Sequence, residues 1–146
     1  KENINDYYKA FTVCNDPLNL GDLTPFLTMF LNIIKTSVEK LKESLQEGFV
    51  RLNRYLQRIG DLCAGKDEKL EEIYNLLIQA ALFSEFGVST DVVLKHAMLS
   101  RTTLTRKLEQ MPQNLLVKLR RGKTNYYSIN LKELDSYIAR NATERD

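Results

Sequence analysis

The stretch Val88 to Arg106, VSTDVVLKHAMLSRTTLTR, reads as two short capped helices joined by a tight turn. Ser89 stands where an N-cap belongs, its hydroxyl placed to accept an amide hydrogen from the first turn of a helix over Thr90 to His96. Ala97-Met98-Leu99 forms the turn, and Ser100 repeats the capping signal for a second helix over Arg101 to Met111. Val88, Val93, Ala97, Leu99, Leu104, Leu108 and Met111 are expected to point inward, the last three on a single helical stripe. The opposite face of the second helix presents Thr102, Arg106 and Glu109, flanked by Arg101 and Thr105. Guanidinium and hydroxyl groups therefore gather over its first two turns.

Downstream, Leu115 to Leu119 and Asn125 to Ile129 are β-type runs separated by Arg120-Arg121-Gly122-Lys123-Thr124, a hairpin with three cations at its tip. Such a tip suits contact with phosphates, since Lys and Arg supply most sequence-independent affinity for nucleic acid. Tyr126 and Tyr127 fall on opposite faces of their strand, so that one packs inward. A closing helix is expected over Leu131 to Arg140. Upstream, Asp67 caps a helix whose apolar stripe is Leu70, Ile73, Tyr74, Leu77, Ile78, Ala81 and Leu82. It is expected to end near Phe86 and Gly87, with the glycine at C′.

This part of the chain resembles the winged helix-turn-helix family over about 65 residues. The resemblance lies in Val88-Ser89-Thr90 through Ser100-Arg101-Thr102-Thr103-Leu104-Thr105-Arg106, and in the wing Leu116 to Ile129. It implies DNA as partner, read by the N-terminal end of the second helix and held by the wing. The candidate contacts are Arg101, Thr102, Thr105, Arg106, Arg120, Arg121 and Lys123. The alternative is a charged face that binds protein. Met98 departs from the family, which favours glycine at that turn position. The fold class expected is mainly α: a helical N-terminal segment with a long amphipathic helix, then a winged helix-turn-helix with a small β-hairpin wing. The expected domains are residues 1–65 and 66–146.

The N-terminal segment opens with a helix over Asn3 to Val13, with Ile4, Tyr7, Tyr8 and Phe11 on one side, ended by Asn15-Asp16-Pro17. Asp22 reads as the N-cap of the next helix, with Pro25 in its first turn. From there Leu27, Leu31, Ile34, Val38, Leu41, Leu45, Phe49, Leu52, Leu56, Ile59 and Cys63 recur in steps of three and four, a heptad seam. Unbroken, this helix would measure on the order of 55 Å at about 1.5 Å per residue. Gly48 is expected to be carried without a change of phase, with Gly60 and Ala64-Gly65 loosening the end. Asp22 to Ile34 is apolar nearly all round, adding Phe26, Met29, Phe30 and Ile33. A helix apolar on every face must be covered on every face. The candidates are the first helix and a second copy of the chain, which would make a homodimer through Leu27 to Cys63.

This front segment is similar to the tail of a Fic-type (Fido) domain, through Tyr7-Tyr8-Lys9-Ala10-Phe11 and Gly21-Asp22-Leu23-Thr24-Pro25-Phe26-Leu27. Members of that family transfer AMP to target hydroxyls with an upstream loop of the form H-P-F-x-[DE]-G-N-G-R, and many end in a winged helix. The loop is absent here, and the only histidine, His96, has no Gly-Asn-Gly-Arg beside it. The resemblance thus implies parentage in a protein adenylyltransferase, and no catalytic residue carries over. Because the chain starts at Lys1 without methionine, it is read as a fragment whose upstream part is missing.

Composition agrees with a helical protein. Of 146 residues 43% are hydrophobic and 27% charged, with six glycines and three prolines. The net charge of +2 averages unlike halves: ten Lys/Arg against thirteen Asp/Glu up to Ser89, and eleven against six after it. Between Lys95 and Lys123 there are eight cations and one acid. Cys14 and Cys63 lack metal-ligand spacing and read as reduced, core-like thiols in a cytoplasmic protein. No run is long and apolar enough for a membrane span. His96 has no partners for general-base or metal chemistry, and Glu68, Glu71 and Glu72 with Lys69 read as a solvated helix face near its N-terminus. No cofactor, metal or small-molecule substrate is expected, and no enzyme activity in this chain.

Overall fold

A computed structural model describes the backbone of residues 4–63 and 67–143, and the side chains of these except Asp61 and 141–143. Asn3, Ala64, Gly65 and Lys66, where a helix start, a helix end and the domain boundary are expected, lie outside the described residues. The chain forms two compact units, 1–47 and 48–146.

The first unit holds α1 (Ile4–Cys14), a 3-10 turn (Pro17–Asn19) and the front of α2 (Thr24–Leu56). Asp16 closes the 3-10 turn by accepting from the Leu18 amide at 2.8 Å. Asp22 acts one residue ahead of a cap: its Oδ1 accepts from the Thr24 amide at 2.8 Å, while the Leu23 carbonyl accepts the first helical bond, from Leu27. That bonding holds its carboxyl below the usual carboxylate range. Tyr7 meets Phe26 edge-on with centroids 6.0 Å apart and stacks on Phe11 at 6.1 Å. Ala10 is the one buried side chain among described residues 4–47. α1 therefore covers only part of the all-round apolar stretch. Tyr8, Phe11, Leu27, Phe30, Leu31 and Ile34 stay exposed.

The second unit contains the last turns of α2, α3 (Ile59–Leu62), α4 (Glu68–Phe83), β1 (Val88–Ser89), α5 (Thr90–Ala97), α6 (Arg101–Glu109), β2 (Leu116–Arg121), β3 (Thr124–Ile129) and α7 (Leu131–Thr143). Its core takes in Leu52, Tyr55, Ile59 and Cys63 together with Ile73, Leu77, Val93, Leu104, Leu115 and Leu134. This unit therefore starts at Gly48, earlier than the expected boundary at 65/66.

Two features of the long helix differ from expectation. α2 ends at Leu56, about 50 Å from its start at about 1.5 Å per residue. The chain turns through Gln57 and Arg58, whose amide bonds back three residues to Tyr55, and restarts as α3 with Ile59 and Cys63 both in the core. The buried stripe also runs through Gly48 and not Phe49, keeping the alternation of four and three that leads up to Leu45. The inward positions are Gly48, Leu52, Tyr55 and Ile59, while Phe49 is 57% exposed. Phe83 gives the reason: its ring lies where a Gly48 side chain would be, 2.6 Å from the site of a Cβ, and a larger residue would expel it. The Tyr55 hydroxyl donates to Asp135 of α7 at 2.9 Å and accepts from Arg51 at 3.0 Å, and Arg54 pairs with the same carboxylate.

Local caps form as the sequence dictates. Asp67 accepts from the Leu70 amide, Ser89 from Val92 and Ser100 from Thr103. α4 stops at Phe83 instead of near Phe86, its end taken by Ser84 in an extended conformation. Gly87 is not its C′ residue. With φ +87° it leads into β1, so close to β3 that a Cβ would lie 2.5 Å from the Tyr127 carbonyl oxygen. β1 pairs antiparallel with β3 through Val88↔Tyr127 and Ser89↔Tyr126, and β3 pairs with β2 from Leu116↔Ile129 to Arg121↔Thr124. The sheet order is β1-β3-β2, one strand more than the hairpin read from sequence. Tyr127 and Ile129 face the core and Tyr126 is half-buried. Two helices joined by a tight turn, then a cationic hairpin stitched to a short preceding strand, make this unit a winged helix-turn-helix.

Candidate nucleic-acid interface

α6 is fixed by what it buries: Leu104 and Leu108 are 2% and 8% exposed, and Ser100 pins its first turn. Its other face carries Arg101, Thr102, Thr105, Arg106 and Glu109, all exposed. Arg101 reaches Asp91 of α5 at 3.2 Å, an ion pair so open to solvent that a phosphate can displace it. The Thr105 hydroxyl donates back to the Arg101 carbonyl at 3.1 Å, so its oxygen presents lone pairs outward. The side chains of Thr102 and Arg106 make no hydrogen bond or ion pair among the described residues. The turn before α6 depends on Met98, which occupies the left-handed region at φ 51°, ψ 47°. Its amide still bonds to the Leu94 carbonyl, and its side chain is exposed.

The hairpin tip holds Arg120, Arg121 and Lys123, all exposed, around Gly122 at φ +60°. Arg120 Nε donates to the Gly122 carbonyl at 3.4 Å. The Arg121 guanidinium carbon sits 3.8 Å from the centroid of Phe86, a pairing that spacing did not reveal because Phe86 reads as a helix end. The Thr90 hydroxyl donates to the Asn125 carbonyl at 3.1 Å and ties α5 to β3.

One of the eight cations belongs elsewhere. Lys107 turns inward, its side chain 16% exposed, and pairs with Asp67 at the start of α4. Its ammonium holds the Asp67 carboxyl below the ordinary carboxylate value. Lys118 lies 6.0 Å over the Tyr127 ring on the sheet. Five of the seven exposed cations thus fall into two groups, the start of α6 and the wing tip, with Lys95 on α5 and Lys118 on β2 outside them.

The thiols do not form a site. Burial, with the charges of Glu71 and Asp67 added, pushes Cys63 up to about 11, so it stays protonated at neutral pH. Cys14 is half-exposed and less core-like than its sequence context implied. No described helix is long and apolar enough to cross a membrane.

No family model, curated protein or solved structure matches the chain.

Proposed function

We propose that the second unit docks on duplex DNA in the cytoplasm, with the N-terminal turns of α6 toward base edges and the wing tip on phosphates, as the regulatory tail of a larger Fic-type protein. The observation that carries this reading is the exposure of Arg101, Thr102, Thr105 and Arg106 on the face of α6 opposite buried Leu104 and Leu108. A helix whose core face is fixed, and whose solvent face holds cations and hydroxyls at its start, has what major-groove reading needs. Arg120, Arg121 and Lys123 add charge of the kind that makes affinity fall with salt.

Titration of duplex DNA at two salt concentrations tests it. Affinity should fall as salt rises, and Arg120→Glu with Arg121→Glu should weaken binding and flatten the salt slope by about 0.9 for each phosphate no longer neutralised. Affinity indifferent both to salt and to these changes refutes docking. The Fic-type parentage rests on Tyr7 to Phe11 and Gly21 to Leu27 and is tested separately, by reading the gene ahead of Lys1 for the H-P-F-x-[DE]-G-N-G-R loop.

A second reading, a protein-interaction unit acting on an AMP-transferring enzyme, is favoured by the apolar side chains that α2 leaves exposed.

A further inference from the structure

We propose that the front of α2 pairs with the same segment of a second copy, parallel and in register, as a two-stranded coiled coil. The proposal rests on the interaction reading and is independent of docking on DNA. Leu27, Leu31, Ile34, Val38, Leu41 and Leu45 are 53, 62, 44, 59, 59 and 41% exposed. They alternate steps of four and three along one side of a continuous helix, the repeat by which one helix covers another over successive turns. A globular partner would need no such repeat.

The flanks identify both the partner and its direction. Lys35 and Lys42 line one side of the seam, Ser37 and Ser44 the other. An antiparallel pair sets like flanks together, lysines against lysines. A parallel pair sets each lysine against the partner's serine side, and like-charge repulsion is avoided. The six seam side chains, with Phe30 at the edge and 48% exposed, offer on the order of 500 Å² per copy, so two copies reach the roughly 1,000 Å² at which specific interfaces begin. The surroundings of the stripe also change at the right place. At Gly48 the same stripe turns into the core of the second unit, so the seam open to a partner ends at Leu45.

Sedimentation velocity across the micromolar range should show a dimer that strengthens with concentration. In a Cys14→Ser background, Leu41→Cys should oxidise to a covalent dimer. In a parallel register the introduced thiol faces its own copy, with Cα atoms within the roughly 4.4 to 6.8 Å a disulfide spans. Thr36→Cys, on the outer side of the helix, should not cross-link. Leu41→Glu with Leu45→Glu should return the protein to monomer, with the far-UV spectrum and thermal transition of the second unit unchanged. A monomer at every concentration overturns the proposal and leaves the seam to an unlike partner. A dimer in which Leu41→Cys does not link, or Thr36→Cys links equally well, overturns the parallel register while the interaction reading stands. A dimer that survives both glutamates overturns the seam itself.

Discussion

The guanidinium of Arg121 lies over the ring of Phe86, 3.8 Å from its centroid, and so joins the wing to the loop that leads into β1. One end of this pair is exposed and cationic. The same arginine that is proposed to meet phosphate is thereby held in place before it does. A cation over an exposed aromatic face is worth about 0.5–1 kcal/mol. Phe86→Leu keeps the apolar bulk and removes the ring face. It should lower stability by no more than about 1 kcal/mol, yet speed amide exchange at 120–124 and weaken DNA binding several-fold. Unchanged exchange in the wing would show that the stack does not order it.

Asp67 has two tasks, capping α4 through the Leu70 amide and pairing with Lys107 of α6. Its folded pKa lies below the unfolded value of about 3.9, so the stabilisation is complete above that value and is lost as pH falls through the folded one. Asp67→Ser keeps a capping oxygen and loses the charge, and Asp67→Ala loses both. Urea unfolding at neutral pH should rank wild type above serine above alanine, with the serine-to-alanine step about 1 kcal/mol. As pH falls below about 4, the gap between wild type and serine should close. A gap that persists there would mean that the ion pair contributes nothing.

The helix-turn-helix was legible because its signals are local. Ser89 and Ser100 each cap an amide three residues away, and the core phase of α6 follows from Leu104 and Leu108. From that phase the exposure of Arg101, Thr102, Thr105 and Arg106 follows directly. Apolar content was a poor guide to the phase of α2 beyond Leu45. Phe49 and Leu56 continue an apolar pattern, yet Gly48 and Tyr55 are the buried positions. A strict count of four and three from Leu45 does reach Gly48 and Tyr55, but a glycine and a tyrosine look less core-like than Phe49 and Leu56, and what selects them, Phe83 and Asp135, lies far along the chain. Phe86 beneath Arg121 and Asp67 beneath Lys107 were missed for the same reason, as was β1, whose two residues pair with β3 across the whole helix-turn-helix.

Met98 holds the turn in a left-handed conformation that costs a residue with a Cβ roughly 1–2 kcal/mol. Met98→Gly should relieve that strain, and about 0.5–1 kcal/mol of it is offset by the greater freedom of glycine in the unfolded chain. The net effect expected in urea or thermal unfolding is a gain of up to about 1 kcal/mol, with DNA affinity unaltered. Met98→Val, β-branched at the same φ, should lose stability instead.

Gly87 and Gly122 both have positive φ, but their surroundings differ. Nothing lies within 4 Å of a Cβ built on Gly122, whereas one on Gly87 meets the Tyr127 carbonyl oxygen at 2.5 Å. Gly122→Ala should therefore cost only the backbone term, about 1 kcal/mol. Gly87→Ala adds a clash with the backbone of the central strand, which cannot move without breaking the β1–β3 pairing. It should cost more than about 3 kcal/mol, seen as a large fall in the unfolding midpoint. Equal effects of the two changes would contradict the close approach of β1 to β3.

The two thiols should behave as differently as their surroundings. Cys63 is 6% exposed and pushed up to about 11, so at neutral pH almost none is thiolate and little can be reached. Cys14 is half-exposed at the end of α1. Under native conditions a thiol reagent such as DTNB should label Cys14 and leave Cys63 untouched, and in denaturant both should react. Because α3 is only four residues long, transient opening of that helix is the route by which Cys63 would become reachable. Its native labelling rate therefore measures how firmly α3 closes the core. Ile59→Ala, which thins that seal, should raise the rate about tenfold or more while leaving the rate of Cys14 unchanged, and equally fast native labelling of both thiols would mean that α3 does not close the core at all.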